Sequence, residues 1–117
     1  EDGMDEISVG APTRVAEMRD GEVRTFTLDP EHFGLGRHAI ETLRAKDVAA
    51  SLAMIRTVLD GREGPAHDVV VLNAGAAVYA AGVAESLEQG VERAREAVAG
   101  GAARRVLERL VEFTNDL

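Results

Sequence analysis

Residues 13–28, which read TRVAEMRDGEVRTFTL, decide the first element of the fold. Two strand-like runs flank Asp20-Gly21, and a two-residue Asp-Gly loop is typical of the type I′ turn of a β-hairpin. In the register set by this turn, opposite charges and apolar side chains meet across the ladder and stabilise it. The pairs are Arg19 with Glu22, Met18 with Val23, Glu17 with Arg24, and Val15 with Phe26. Because a slip of one residue would destroy every pair, the segment predicts both the hairpin and its register.

Helices are expected after the hairpin. Pro30 ends the second strand because it has no N–H for the ladder, and the loop 33–36 leads to a short helix near residues 39–43. Asp47 is a predicted N-cap, and Gly61 ends the helix that follows. An apolar face with helical spacing lies between them, formed by Val48, Leu52, Ile55 and Leu59.

Residues 68–81 have an ambiguous pattern. VVVL at 69–72 alone would suit a buried strand, but the whole apolar stretch is long and rich in alanine. Length and alanine favour a buried helix capped by Asp68. Asn73 and Gly75 are unfavourable inside a helix and need a packing reason. The Asn73 amide either faces a substrate pocket or, as buried polar groups are nearly always paired, binds a neighbouring backbone group in the core.

Two further helices complete the predicted elements. Ser86 and Gln89 form a capping box, and one face of the helix behind them carries Leu87, Val91, Ala94 and Val98. Gly100-Gly101 separates this helix from the last one, whose apolar face carries Ala103, Val106, Leu107, Leu110 and Phe113. One hairpin and four or five helices are therefore predicted, and a single hairpin normally joins a larger sheet.

Composition limits the partners of the chain. Its 117 residues suit one domain, 45% of them are hydrophobic, and the formal net charge is −8. Nucleic acid and anionic membrane surfaces are unfavourable partners, because phosphate contacts need a surplus of Lys and Arg. A phosphorylated small molecule is still compatible with this negative charge, because a bound metal ion reverses the sign of the local electrostatic field. The lack of cysteine excludes thiolate and zinc–thiolate chemistry and fits a reducing cytoplasm.

The first six residues, EDGMDE, contain four carboxylates. The adjacent pair Asp5 and Glu6 is the best candidate for a hard metal ion, since Mg²⁺ uses one or two protein carboxylates and takes its other ligands from water and phosphate. A frayed, solvated N-terminus is the alternative interpretation of the same residues.

Other candidate motifs favour structural interpretations. Residues 34–39 match G-x-G-x-x-A, but the dinucleotide pattern should follow directly on a strand, and here Pro30 and a loop intervene. His32, His38 and His67 lack the spacing of an H-E-x-x-H site and are expected to be surface or loop residues. No serine lies in a nucleophile elbow, so a hydrolytic triad is unsupported.

A set of short motifs extends over nearly the whole chain. They are DGMDEI at 2–7, PEHFGL at 30–35, GPAHD at 64–68, LNAGAAVY at 72–79, and EQGV at 88–91 followed by Ala94 and Ala97. In this order the motifs resemble the C-terminal third of anthranilate phosphoribosyltransferases, enzymes of tryptophan biosynthesis. The resemblance implies an α/β fold similar to class II nucleoside phosphorylases. Residues 1–117 would form the C-terminal segment of the phosphoribosyl-diphosphate-binding α/β domain, without the N-terminal helical domain and the glycine-rich loop.

The resemblance also implies an activity. Enzymes of this family move phosphoribose from phosphoribosyl diphosphate to the amine of anthranilate and release diphosphate. Their magnesium-binding Asp-Glu pair matches Asp5 and Glu6, and Met4 replaces the usual Leu. A divalent cation neutralises and orients the departing diphosphate. Catalysis of this kind depends on positioning and electrostatics, so no catalytic side chain is assigned.

The same resemblance sets expectations for the whole protein. The full-length enzyme is expected to be a cytoplasmic homodimer formed through the helical domain that these 117 residues lack, and the fragment alone is expected to be inactive. Two alternatives stay open. One is an acidic helical interaction module without catalysis, and the other is a relative with a different acceptor, such as a pyrimidine nucleoside phosphorylase.

Overall fold

The computed structural model describes residues 2–117. Its elements in chain order are β1 (Thr13–Arg19), β2 (Glu22–Leu28), α1 (Val48–Leu59), α2 (Pro65–Ala80), α3 (Leu87–Ala99) and α4 (Ala102–Asn115). Two short 3₁₀ helices, Pro30–Phe33 and Ile40–Leu43, lie between β2 and α1. The predicted α/β class, with one hairpin and four helices in the described residues, is confirmed.

The hairpin has the predicted register. Arg19 lies opposite Glu22, Met18 opposite Val23, Glu17 opposite Arg24, and Val15 opposite Phe26. Asp20 and Gly21 have φ values of 53° and 80°, as a type I′ turn requires at both central residues. Within residues 2–117 the sheet contains these two strands alone.

The loop after β2 is a turn, as predicted, and its glycines do not follow directly on a strand. The 3₁₀ helix Pro30–Phe33 is capped by Asp29, whose Oδ1 accepts a hydrogen bond from the Glu31 N–H at 3.1 Å. Gly34 ends that helix with a φ of 67°, a conformation in which a side chain would be strained. The dinucleotide pattern therefore lacks its structural context here.

The core lies mainly between α2 and α3. Val71, Leu72 and Gly75 of α2 are buried, and they face the predicted stripe of α3, of which Val91, Ala94 and Val98 are buried. A Cβ at Gly90 would lie 2.2 Å from the carbonyl oxygen of Gly75. The two helices therefore approach backbone to backbone, which is the packing reason that Gly75 requires.

Two helix starts agree with their predicted caps, and a third does not. The Asp47 carboxylate accepts from the Ala50 N–H at 2.7 Å, and the Ser86 hydroxyl accepts from the Gln89 N–H at 3.2 Å. The prediction of Asp68 as a cap was wrong, because α2 begins three residues earlier, at Pro65 after Gly64. Proline at the first helical position needs no N–H partner and has its φ preset.

The predicted apolar faces of α1 and α4 are largely uncovered in the described residues. Val48 is 85% exposed, Leu52 42% and Ile55 46%, and Val58 is instead the buried residue of α1. Val106, Leu110 and Phe113 of α4 are exposed as well. The predicted helix is present at Val48–Leu59, but helical periodicity identifies an apolar stripe without saying what covers it.

No helix within residues 2–117 is both long and apolar enough to cross a bilayer.

Candidate metal-binding segment

The acidic N-terminal segment is a closed loop. Asp2 accepts two hydrogen bonds, one from the Met4 N–H at 3.3 Å and one from the Ser8 hydroxyl. The Ser8 hydroxyl also accepts from the Gly10 N–H at 2.9 Å, and Ser8 itself is buried. The Ser8 hydrogen bond lowers the pKa of the Asp2 carboxyl below its ordinary value. The segment therefore has a defined shape from Asp2 onward, while Glu1 lies outside the described residues.

Asn73 holds this loop against α2. Its side-chain oxygen accepts from the Ile7 N–H at 3.0 Å, and its side-chain nitrogen donates to the Ile7 carbonyl at 2.9 Å. The same nitrogen donates to the Val69 carbonyl, one turn earlier in α2, at 3.0 Å. Of the two interpretations of Asn73, the structure bears out the pairing with backbone groups, one of which, Ile7, lies 66 residues away in sequence.

Asp5 and Glu6 lie inside the loop that the Asp2–Ser8 hydrogen bond closes. They directly precede Ile7, whose backbone is bound by Asn73. Both carboxylate side chains are exposed. In the part of the chain that the structure describes, neither makes a side-chain hydrogen bond or an ion pair. Their four carboxylate oxygens are therefore accessible to a ligand, and adjacent exposed carboxylates suit a hard cation that keeps most of its water.

The donor set selects among metals. Residues 2–117 contain no group of three or more His, Asp or Glu side chains placed to hold a metal ion. A structural zinc site, which needs four protein ligands, does not fit this segment. Magnesium fits, because it takes one or two carboxylates and completes its shell with water and substrate phosphate.

A second polar cluster joins the loop after β2 to the start of α2. His38 Nε2 lies 2.8 Å from Asp68 Oδ2, and His67 Nδ1 lies 3.3 Å from Asp68 Oδ1. The Gly36 N–H also donates to Asp68, at 3.3 Å, and the His38 N–H donates to the Val9 carbonyl at 2.9 Å. Sequence spacing gave no sign of the His38 contact, because it joins residues 30 apart. The cluster fixes the end of the segment that carries the carboxylate pair.

A groove of about 580 Å³ lies between the hairpin and the C-terminal half of α2. Its wall includes Ile7 but neither Asp5 nor Glu6. At its rim the Tyr79 hydroxyl donates to Glu17 and accepts from Arg19 at 3.1 Å. These contacts fasten the hairpin to α2.

Comparison with known proteins places the chain in a family. Residues 1–104 match the family described as glycosyl transferase family, a/b domain. The chain is 60% identical over 97% of its length to anthranilate phosphoribosyltransferase of Thioalkalivibrio sulfidiphilus, of which it covers 34%. It is 48% identical over 99% of its length to the enzyme of the same name from Nitrosomonas eutropha, again covering 34%.

A solved structure shows the same fold. The anthranilate phosphoribosyltransferase of Thermus thermophilus superposes with a TM-score of 0.85 at 42% identity, over 97% of this chain and 33% of that one. The chain spans about a third of the length of the curated relatives it matches, in their C-terminal part. The resemblance inferred from the motifs is confirmed.

Proposed function

This chain belongs to the glycosyl transferase family whose a/b domain it matches, and on that premise we propose that it forms the C-terminal part of an anthranilate phosphoribosyltransferase. The supporting observation is its 60% identity, over 97% of its length, to a relative of that name. The reaction would move phosphoribose from phosphoribosyl diphosphate to the amine of anthranilate and release diphosphate. Because the chain covers about a third of such relatives, we expect these residues alone to be inactive.

The proposed task of Asp5 and Glu6 is to bind Mg²⁺. When bound, the ion would neutralise the negative charge that develops on the leaving diphosphate. The two carboxylates would hold the cation, which would take its remaining ligands from water and phosphate oxygens. The Asp2–Ser8 hydrogen bond and the Ile7–Asn73 pair keep the carboxylates in one place. Positioning of this kind suits a reaction that needs no covalent nucleophile.

The remaining proposals concern the whole enzyme. We expect it to act in the cytoplasm and to be a homodimer formed through its N-terminal helical domain.

A chimaeric enzyme tests the proposed activity. This chain replaces the aligned third of the Thioalkalivibrio sulfidiphilus relative, and the loss of anthranilate fluorescence is followed with phosphoribosyl diphosphate and Mg²⁺. We expect turnover, and a loss of at least about 100-fold when Asp5→Asn and Glu6→Gln are combined, as expected when electrostatic stabilisation of the leaving group is removed.

The matched control removes two exposed carboxylates from α4, through Glu108→Gln and Glu112→Gln. It changes the net charge equally and should leave turnover within twofold. A folded chimaera without activity would contradict the proposed function and favour an acidic interaction module. Full activity of the Asp5→Asn, Glu6→Gln variant would contradict only the proposed metal-binding role of Asp5 and Glu6, and it would leave the proposed activity supported.

A further inference from the structure

Asn73 on α2 holds the residue that directly follows the carboxylate pair. We propose that Asn73 is a positioning residue for Asp5 and Glu6, because its amide fixes both backbone groups of Ile7. The proposal rests on the proposed function, in which the pair binds the metal. Asn73 itself would touch neither the metal nor a substrate.

The Asn73 amide is chemically matched to the backbone of Ile7. A primary amide offers one carbonyl oxygen and two N–H donors. The oxygen accepts from the Ile7 N–H at 3.0 Å, and the nitrogen donates to the carbonyls of Ile7 at 2.9 Å and Val69 at 3.0 Å. Both N–H groups and the oxygen are therefore used. The side chain thus pairs with Ile7 as a neighbouring strand would.

The bond to Val69 orients the amide. Val69 lies one turn before Asn73 on the same helix, so this contact holds the side chain against its own backbone. Asparagine is a poorer helix former than alanine, and residues 74–77 of α2 include three alanines. An asparagine in this setting is explained by the contacts it makes outside the helix.

The anchor at Ile7 restricts Asp5 and Glu6 through the chain. Consecutive Cα atoms lie about 3.8 Å apart, so Glu6 is one step from the fixed residue and Asp5 is two. In the described residues their own side chains have no partner that would orient them. The backbone anchors therefore set where the carboxylates lie. Mg²⁺ requires near-ideal octahedral geometry at about 2.0–2.1 Å. Mutating a group that hydrogen-bonds a metal ligand typically weakens metal binding about 10–100-fold, and because Asn73 acts through the adjacent residue Ile7, we expect the lower end of this range.

The test uses the 117-residue chain and Mn²⁺ as a paramagnetic probe. Asn73→Leu keeps the approximate shape, removes all three hydrogen bonds and leaves the charge unchanged. Two quantities are measured by NMR: the hydrogen exchange rate of the Ile7 amide, and the Mn²⁺ dissociation constant from broadening of the Asp5 and Glu6 amide signals. Val98→Ala is the control, because Val98 is buried in α3.

We expect Asn73→Leu to accelerate exchange of the Ile7 amide and to weaken Mn²⁺ binding at least tenfold, with Val98→Ala changing the dissociation constant less than twofold. Faster exchange with unchanged Mn²⁺ binding would overturn the positioning role and leave the metal pair intact. Absence of saturable broadening in the wild-type chain would instead overturn the metal site, and the positioning role with it. Asn73→Ala repeats the test if the leucine variant does not fold, and unchanged Ile7 exchange in that folded variant would overturn the anchor.

Discussion

Replacing Gly75 with alanine tests the contact that joins α2 to α3. A Cβ at Gly75 would lie 2.6 Å from the backbone nitrogen, the Cα and the Cγ2 of Val91. Two of these three atoms belong to the backbone of α3 and cannot rotate away. Because both residues are buried between the helices, the new methyl group can be accommodated only if α2 and α3 move apart.

The expected loss combines two opposing effects. In an unrestrained helix interior, replacing glycine by alanine stabilises by about 1 kcal/mol. Overpacking a tight core costs about 1–3 kcal/mol. To restore a carbon–carbon distance of about 3.5 Å, α2 and α3 must move apart by roughly 1 Å. The cost of this substitution is therefore near the upper end of the overpacking range, about 3 kcal/mol. The net loss is about 2 kcal/mol, equivalent to a fall in Tm of about 8 °C for a chain of this size.

Urea and thermal unfolding of the 117-residue chain, followed by circular dichroism, measure this loss. Val91→Ala supplies a diagnostic second variant, because it removes Cγ2 but leaves the backbone nitrogen and Cα in place. The double variant Gly75→Ala, Val91→Ala should therefore be no more stable than Gly75→Ala alone. A higher Tm for Gly75→Ala, or recovery of wild-type stability in the double variant, would refute the steric reasoning.

Two further predictions concern local hydrogen bonds. Asp47→Ala removes the side chain that caps α1 through the Ala50 N–H, and urea unfolding should show a loss of about 1 kcal/mol; an unchanged midpoint would contradict the capping role. Ser8→Ala should raise the pKa of the Asp2 carboxyl toward its ordinary value of 3.8, as measured by carboxyl ¹³C NMR titration. Because a depressed native pKa stabilises above the unfolded pKa, that contribution is present above about pH 3.8 and is lost as pH falls through the native value.

Local patterns predicted the local elements of this fold. The Asp20-Gly21 turn fixed the hairpin register, since turn geometry and cross-strand pairs agree at every position. The Asp47 and Ser86 caps were equally visible, because each cap bonds an N–H three residues away. The start of α2 was predicted wrongly because GPAHD contains two helix-start signals, Pro65 and Asp68. The helix begins at Pro65, because proline is favoured at the first helical position.

Contacts between distant residues were outside the reach of these patterns. The sequence required a partner for Asn73 but could not identify Ile7, which lies 66 residues away. The contact between His38 and Asp68 is of the same kind. The exposed face of α1 shows the converse limit, because periodicity marks an apolar stripe whether or not a neighbour covers it. Asp5 and Glu6 were proposed as a metal pair from the local sequence and the family resemblance, whereas the contact of Asn73 with the neighbouring Ile7 is visible only in the tertiary structure.

Helix α2 connects the stability of the core to the position of the candidate site. Gly75 and Asn73 lie two residues apart, so they are separated by about 3 Å along the helix axis and point about 200° apart around it. Gly75 faces α3, and Asn73 faces Ile7 on the other side. A substitution that pushes α2 away from α3 therefore pushes Asn73 toward the segment that carries Asp5 and Glu6. The close approach at Gly75 and Gly90 thus fixes the position of α2, and with it the position of Asn73 relative to the segment that carries the two carboxylates.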